Sequence, residues 1–291
     1  MILKRRLIQP MLLALMLGLA VSGCGSDYTV FHPAGPVAQS ELNLIVLSTV
    51  VVGIIILLIW ALWAYVLIRF RDKPGNKAPY WPTWRHHRLL EVLVFIFPVV
   101  ALVIIAIPTI RKTYALAHIP AAKRPPLVID VTSLDYKWLF EYPQQHVAAV
   151  NYFYMPVGRP VLFELTAHSP FGAFWVPNLG GMEYTMPNRV LPLWLEATRT
   201  GVFDGRNANF SGKDFWRMSF KAHAVPEPQF QSWAQGLRQH APRLTDADWQ
   251  KLQQFTVVRA SSYSSYPSNT FPERPTEFTV HGLYYTPTHK P

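Results

Sequence analysis

Three apolar blocks crowd into the first 110 residues, and the rest of the chain alternates like a globular sequence. Met11–Val21 follows a basic start at Lys4, Arg5 and Arg6 and is followed by small residues, the layout of a secretory signal. Leu42–Ile68 runs for 27 residues without a charge. At ~1.5 Å per residue this gives roughly 40 Å of helix, more than the ~30 Å hydrocarbon core requires. Val92–Ile110 is a second span of 19 residues, and Pro98 and Pro108 are expected to kink it. Trp60, Trp63, Tyr80, Trp81 and Trp84 gather near the inner ends of the two spans, as interfacial aromatics do.

From Pro125 the pattern changes to short runs of β-branched and aromatic residues punctuated by Gly and Pro. "LVIDVTSLDYKWLFEYP", "AAVNYFYMPVGRPVLFELTAHS" (two strands about a Pro-Val-Gly-Arg-Pro turn), "FGAFWVP", "RVLPLWLEAT" and "FWRMSFKAHAV" supply the strand candidates. Many short strands with such punctuation predict a β-sandwich or Greek-key barrel. "PEPQFQSWAQGLRQHA" and "TDADWQKLQQF" predict helices, the second capped by Thr245 or Asp246, and "SSYSSYPSNTFPERP" predicts a polar loop. The chain thus divides into a signal peptide (1–23), an outer tether (24–40), a first span (41–70), a loop (71–88), a second span (89–111), a β domain (125–225) and a C-terminal helical, aromatic-rich region (226–291).

Charge fixes the orientation. The formal net charge is +10, but six of the basic residues lie in Arg69–Arg88, which places that connector in the cytoplasm. Both ends of the chain then lie outside. From Arg111 onward 18 basic residues face 13 acidic ones with no run of like charge, so a nucleic-acid face is not expected. The single cysteine, Cys24, excludes an internal disulfide and any cysteine-cluster metal site. It closes the stretch "AVSGC", which resembles a bacterial lipobox, so Cys24 is the expected lipidation site. The predicted location is the inner membrane of a bacterium: a multi-pass chain with an N-terminal lipid and its soluble domain in the periplasm.

Candidate chemistry is sparse. Glu91 opens the second span, and an ionisable group there is either functional or an interfacial carboxylate paired with Arg88. His86–His87 is a close histidine pair, but in a basic connector it reads as a solvated charge cluster. His168 and His223 can meet in the fold, yet a lone core or rim histidine is the commoner case. Tyr136, Trp138, Trp175 and Trp194 read as core rather than as an electron path. Asn209-Phe210-Ser211 matches a glycosylation triplet, which is irrelevant behind a bacterial lipoprotein signal. No nucleophile or phosphate-loop motif is found. What remains is "GRNANFSGKDFWRM", Gly205–Met218, a loop with binding-site punctuation and no soft ligand except its terminal methionine.

Two spans followed by a β domain with "FGAFWVP", "YTMPNRVLPLWLEATRTGVFDGR" and this loop resemble subunit II of the haem–copper terminal oxidases. The family carries a cupredoxin-like domain with a dinuclear copper centre. Its pattern is a histidine before an aromatic-aromatic-x-Pro strand, then G-x-C-x-E-x-C-G-x-x-H-x-x-M. On that pattern Gly172 takes the first histidine position, Asn207 and Ser211 the two cysteines, Asn209 the glutamate and Phe215 the second histidine, and Met218 alone is retained. A frame kept with its ligands lost resembles the quinol-oxidising, bo-type branch. A dinuclear copper centre needs two thiolates, so no metal is expected here.

The resemblance implies a non-catalytic subunit of a proton-pumping quinol oxidase, with no cofactor of its own. Haems and copper belong to subunit I. The partners it implies are subunit I, smaller subunits, membrane lipid and quinol, with no cytochrome c. It also implies a proton-path entrance at Glu91, and that restoring the ligands would restore copper. The alternative reading is a membrane-tethered cupredoxin-like assembly or structural lipoprotein outside any oxidase.

Overall fold

The computed structural model of the chain describes residues 28–79, 81, 83, 85–120, 124–168, 171–272, 278–280 and 283–285. The signal segment, Cys24, Tyr80 and Trp84 lie outside the described residues. Two long helices come first, α1 (Pro36–Arg69) and α2 (Arg88–Leu116), both long and apolar enough to cross a membrane. Among their described residues only Val37, Ala38 and Ala101 are buried, so nearly the whole apolar surface of the hairpin faces outward. Helix α2 runs unbroken through Pro98 and Pro108 and continues to Leu116, five residues beyond the expected end.

The domain that follows is a β-sandwich. Its strands are β1 (Leu127–Leu134), β2 (Lys137–Tyr142), β3 (Val147–Val150), β4 (Tyr152–Pro156), β5 (Val161–Ala167), β6 (Gly172–Val176), β7 (Gly180–Thr185), β8 (Leu191–Leu195), β9 (Gly201–Asn207) and β10 (Ser219–Val225). The C-terminal region adds α3 (Glu227–His240), α4 (Asp246–Leu252), β11 (Ser261–Tyr263) and a separate hairpin of β12 (Phe278–Val280) with β13 (Leu283–Tyr285). One sheet has the order β11-β3-β2-β1-β5-β8 and the other β4-β10-β9-β6-β7. The pairs β1–β5 and β4–β10 are parallel and the rest of the ladder is antiparallel.

Side-chain alternation along β2 explains the layering. Trp138, Phe140 and Tyr142 point between the sheets, where they meet Phe153, Phe163, Phe174 and Phe220. Phe174 and Phe220 stack with ring centroids 5.0 Å apart. Leu139 points the other way, into a second cluster with Trp249 and Leu252 of α4. Both faces of the strand are therefore buried.

The sequence "AAVNYFYMP" reads as one strand but forms two, in different sheets. Asn151 makes the break, with φ at +61°. Its Oδ1 accepts from Trp138 N at 2.9 Å, and its Nδ2 donates to Val258 O at 2.9 Å. A short amide side chain tolerates this left-handed backbone and supplies its own bonds, so the chain passes from β3 in one sheet to β4 in the other.

The described part of the expected tether, residues 28–40, is hydrogen-bonded to the sandwich. Helix α1 starts at Pro36, where the missing N–H costs no helical bond. Ala34 N and Ala38 N donate to Asn178 O (2.7 Å) and Leu179 O (3.1 Å), and Thr198 N donates to Ala34 O at 2.7 Å. Asn178 Nδ2 donates to the carbonyls of Thr29 (3.1 Å) and His32 (2.9 Å), and Gly181 N donates to Glu41 Oε1 at 2.9 Å. The approach requires glycine: a Cβ on Gly180 would lie 2.4 Å from Ala38 N, and one on Gly35 2.2 Å from Glu196 O. At the far end of the hairpin Trp194 Nε1 donates to Leu116 O at 2.6 Å. Both helices are thus fastened to the sandwich.

The C-terminal region is more than helical: β11 extends the first sheet beyond β3. Thr245 caps α4, accepting Asp248 N–H at 3.2 Å. The fully buried Lys137 holds the other end, donating from Nζ to Asp135 O (2.7 Å), Leu252 O (2.8 Å) and Gln254 O (2.8 Å). An ammonium has three donors, and all three are used on carbonyls, two of them at the end of α4 where the helix dipole favours a cation.

Burial pushes the Lys137 ammonium down to about 8, against a smaller upward pull from the Asp135 carboxylate. The unfolded chain then holds this proton more tightly than the folded one. Its contribution to stability therefore rises with pH from about 8 to the ordinary lysine value of 10.5. Lys137→Met leaves the carbonyls of Leu252, Gln254 and Asp135 without that donor and is expected to cost about 1–3 kcal/mol. Denaturation of the detergent-solubilised chain across pH 7–10.5 should show the loss, and the variant should lack the alkaline rise.

Candidate functional site

Two places in the structure carry candidate chemistry, the loop between β9 and β10 and the first turn of α2. The loop begins where β9 pairs with β6, Phe174 lying opposite Asn207. Asn207 is buried and its amide organises the loop. Oδ1 accepts from Ala173 N at 2.8 Å and from Asn209 N at 3.1 Å, while Nδ2 donates to Ser211 Oγ at 3.0 Å. Asn209 Nδ2 donates to Phe171 O at 3.0 Å. The positions that the resemblance assigns to the two cysteines and the glutamate are therefore joined to one another and to β6 by hydrogen bonds.

The remaining positions are shaped as tightly. Gly172 is wedged between two hydroxyls: a Cβ there would lie 2.7 Å from Thr185 Oγ1 and 2.8 Å from Ser133 Oγ. Phe215 starts a 3₁₀ turn, Phe215–Arg217, and meets Phe210 edge-on with centroids 5.0 Å apart. Met218 is buried in the inter-sheet core, and its carbonyl accepts from Asn207 N at 3.0 Å. Gly205 has no room for a side chain beside the Phe220 ring, and Gly212 adopts φ +112° against Tyr136. At the loop's tip Phe210 and Trp216 are 73% and 70% exposed, unusual for rings of that size.

This set does not fit a dinuclear copper centre. Such a centre needs bridging thiolates and imidazoles; the loop offers amides, a hydroxyl, a phenyl ring and one thioether. The crowding at Gly172 also changes the expectation that restored ligands would suffice. A histidine at 172 must first displace both Ser133 and Thr185.

The other histidines stay apart. His168 lies against the Trp249 ring (5.9 Å) and His223 stacks on Tyr154 (4.5 Å). Desolvation, and then the nearby Lys221, lower the His223 pKa, which favours the neutral ring within the stack. Trp138 and Trp194 are buried as expected of core residues, with Tyr136 and Trp175 half-buried. No group of three or more His, Cys, Asp or Glu side chains placed to hold a metal occurs among the described residues.

At the end of the hairpin away from the sandwich, Glu91 occupies the first turn of α2. His87 caps the helix, its Nδ1 accepting Leu90 N–H at 3.1 Å, and Glu91 Oε1 accepts His87 N–H at 3.3 Å. The side chain facing Glu91 is His86, at 3.4 Å, rather than Arg88. Sequence reasoning missed this contact and the structural parts played by Asn178, Glu41 and Lys137. Only Glu41 gave a signal, as a lone carboxylate directly before a charge-free span.

The fold and the loop together define a β-sandwich fastened to two helices able to cross a membrane, with a β9–β10 loop that carries no soft metal ligand except Met218. No family profile matches the chain. It is 37% identical over 276 residues to quinol oxidase subunit 2 of Bacillus cereus, covering 94% of each chain. It is 35% identical over 269 residues to quinol oxidase subunit 2 of Bacillus subtilis, covering 91% of this chain and 84% of that one. Among solved structures it is similar to the periplasmic domain of subunit II of cytochrome oxidase of Bradyrhizobium japonicum, at 23% identity over 42% of this chain and 98% of that one, with a TM-score of 0.39. A chain of a heme-copper terminal oxidase dimer is 12% identical over 47% of this chain and 100% of that one, with a TM-score of 0.36. The chain belongs to the quinol oxidase subunit 2 family.

Asn207→Ala removes the acceptor of two backbone N–H groups and is expected to lower stability by about 1–3 kcal/mol. Gly172→Ala forces Ser133 and Thr185 aside at a similar cost, about 1–3 kcal/mol. Thermal unfolding of the solubilised chain checks both. Full ligand restoration should give a near-infrared copper band only when Ser133 and Thr185 are both shortened.

Proposed function

We propose that the chain is the second subunit of a proton-pumping quinol oxidase, which passes electrons from quinol to O2 in aerobic respiration, and that it holds no catalytic centre. Identity of 37% over 94% of both chains carries this reading. The donor-poor loop supports it, because an electron entry site built on copper needs ligands that Asn207, Asn209, Ser211 and Phe215 do not supply. Subunit II of a cytochrome c oxidase would need two cysteines, and this chain has one.

Haems and copper in this reading sit in subunit I, and quinol reaches the complex from the membrane. The hairpin packs on subunit I, and the exposed Phe210 and Trp216 seal that end of the sandwich against a partner subunit. Cys24 carries the N-terminal lipid, the chain spans the bacterial cell membrane twice, and the sandwich lies in the periplasm. Glu91 stands at the cytoplasmic entrance of a proton path leading into subunit I.

A tagged chain purified in mild detergent should bring a haem-bearing large subunit with it, and the preparation should consume O2 with quinol but not with reduced cytochrome c. Recovery without haem would overturn the oxidase reading. In that preparation Glu91→Gln should slow proton uptake linked to O2 reduction; an unchanged rate removes the role given to Glu91. Mass spectrometry of the mature N-terminus should show an acylated Cys24, lost in Cys24→Ser.

A further inference from the structure

The connector ends in two adjacent histidines, and the structure gives them different tasks. His87 belongs to the helix: with Nδ1 accepting Leu90 N–H, that nitrogen cannot take a proton without breaking the cap. His86 takes no part in the cap. Its Nδ1 lies 3.4 Å from Glu91 Oε1, and its side chain is 85% exposed, which leaves Nε2 open to water. The bond from His87 N to the same Oε1 turns the carboxylate toward His86. The guanidinium groups of the flanking Arg85 and Arg88 do not release protons near neutral pH. An imidazole does, and it can take a proton at one nitrogen while giving one up at the other.

We propose that His86 hands protons from cytoplasmic water to Glu91. The proposal rests on the reading of Glu91 as a proton-path entrance and adds the group that loads it. In the step, a neutral His86 bearing its proton on Nδ1 takes a second proton from water at Nε2. The imidazolium then gives its Nδ1 proton to Glu91 Oε1, leaving a neutral ring protonated at Nε2 and a carboxylic acid. Glu91 passes this proton inward to the partner subunit and becomes a carboxylate again. The ring returns to its first tautomer by exchange with water. No bond between heavy atoms changes and no electron moves. The geometry needs only one hydrogen bond, at the distance already present.

The test uses the purified oxidase with all its subunits, and haem content confirms assembly of each variant. His86→Ala and His86→Asn should slow proton uptake by about tenfold, the low end of what a positioned proton-transfer group contributes. Free imidazole in the buffer should restore the rate of His86→Ala but not that of Glu91→Gln. If both His86 variants keep the wild-type rate while Glu91→Gln is slow, the relay is wrong and the entrance stands. If Glu91→Gln is also at the wild-type rate, the entrance falls with it. A slow His86→Ala that imidazole does not restore makes His86 a structural residue and overturns the relay.

Discussion

The sandwich is held on its membrane hairpin by direct backbone contact, and the rest of the architecture depends on that weld. Ala34 and Ala38 bond to the turn at Asn178–Leu179, and Gly35 and Gly180 let the two chains approach to a distance that no side chain permits. Trp194 makes the matching bond to the end of α2. A domain on a loose leash would sample many orientations, at a small entropic cost per added residue. Fastened at both helices, this one has its position and rotation set by the helical hairpin. A terminal-oxidase subunit built this way presents its sandwich to partner subunits in a fixed orientation.

Much of this was legible in the sequence. The two long apolar helices follow from length and the absence of charge, and most strands follow from β-branched runs bounded by Gly and Pro. The strands β7 and β9 were not legible, because "GGMEYT" and "GVFDGRN" carry the glycines and polar residues of loops. They are edge and middle strands of a sheet whose outer face is largely open, so their outward positions need no apolar residue. The sheet change at Asn151 was hidden for a different reason. It depends on an amide reaching Val258, 107 residues away, and local pattern carries no information about such a partner.

The sites show the same division. Which loop positions the resemblance pairs with copper ligands could be read from the residues alone. How the loop compensates could not: that Asn207 satisfies Ala173, Asn209 and Ser211 at once is a property of the folded backbone. Lys137 is the sharper case. A lysine inside an aromatic strand looks like a surface position, and only the strap formed by α4 shows why a charge is kept there. At the inner end, "HH" in a basic connector looked like mere solvated charge, and the helix cap is what separates His86 from His87.

The hydrogen-bonded state of the loop has a consequence for what substitutions it can accept. A lone thiolate introduced at 207 would break three hydrogen bonds and find no partner thiolate, and a lone imidazole at 172 would collide before any metal arrived. Each single step back toward a metal site is therefore less stable than the present loop, and none is rewarded by binding until several have been taken together. The polar repacking works as a ratchet. With amides and hydroxyls filling the frame, a metal site could not be built into this loop one substitution at a time.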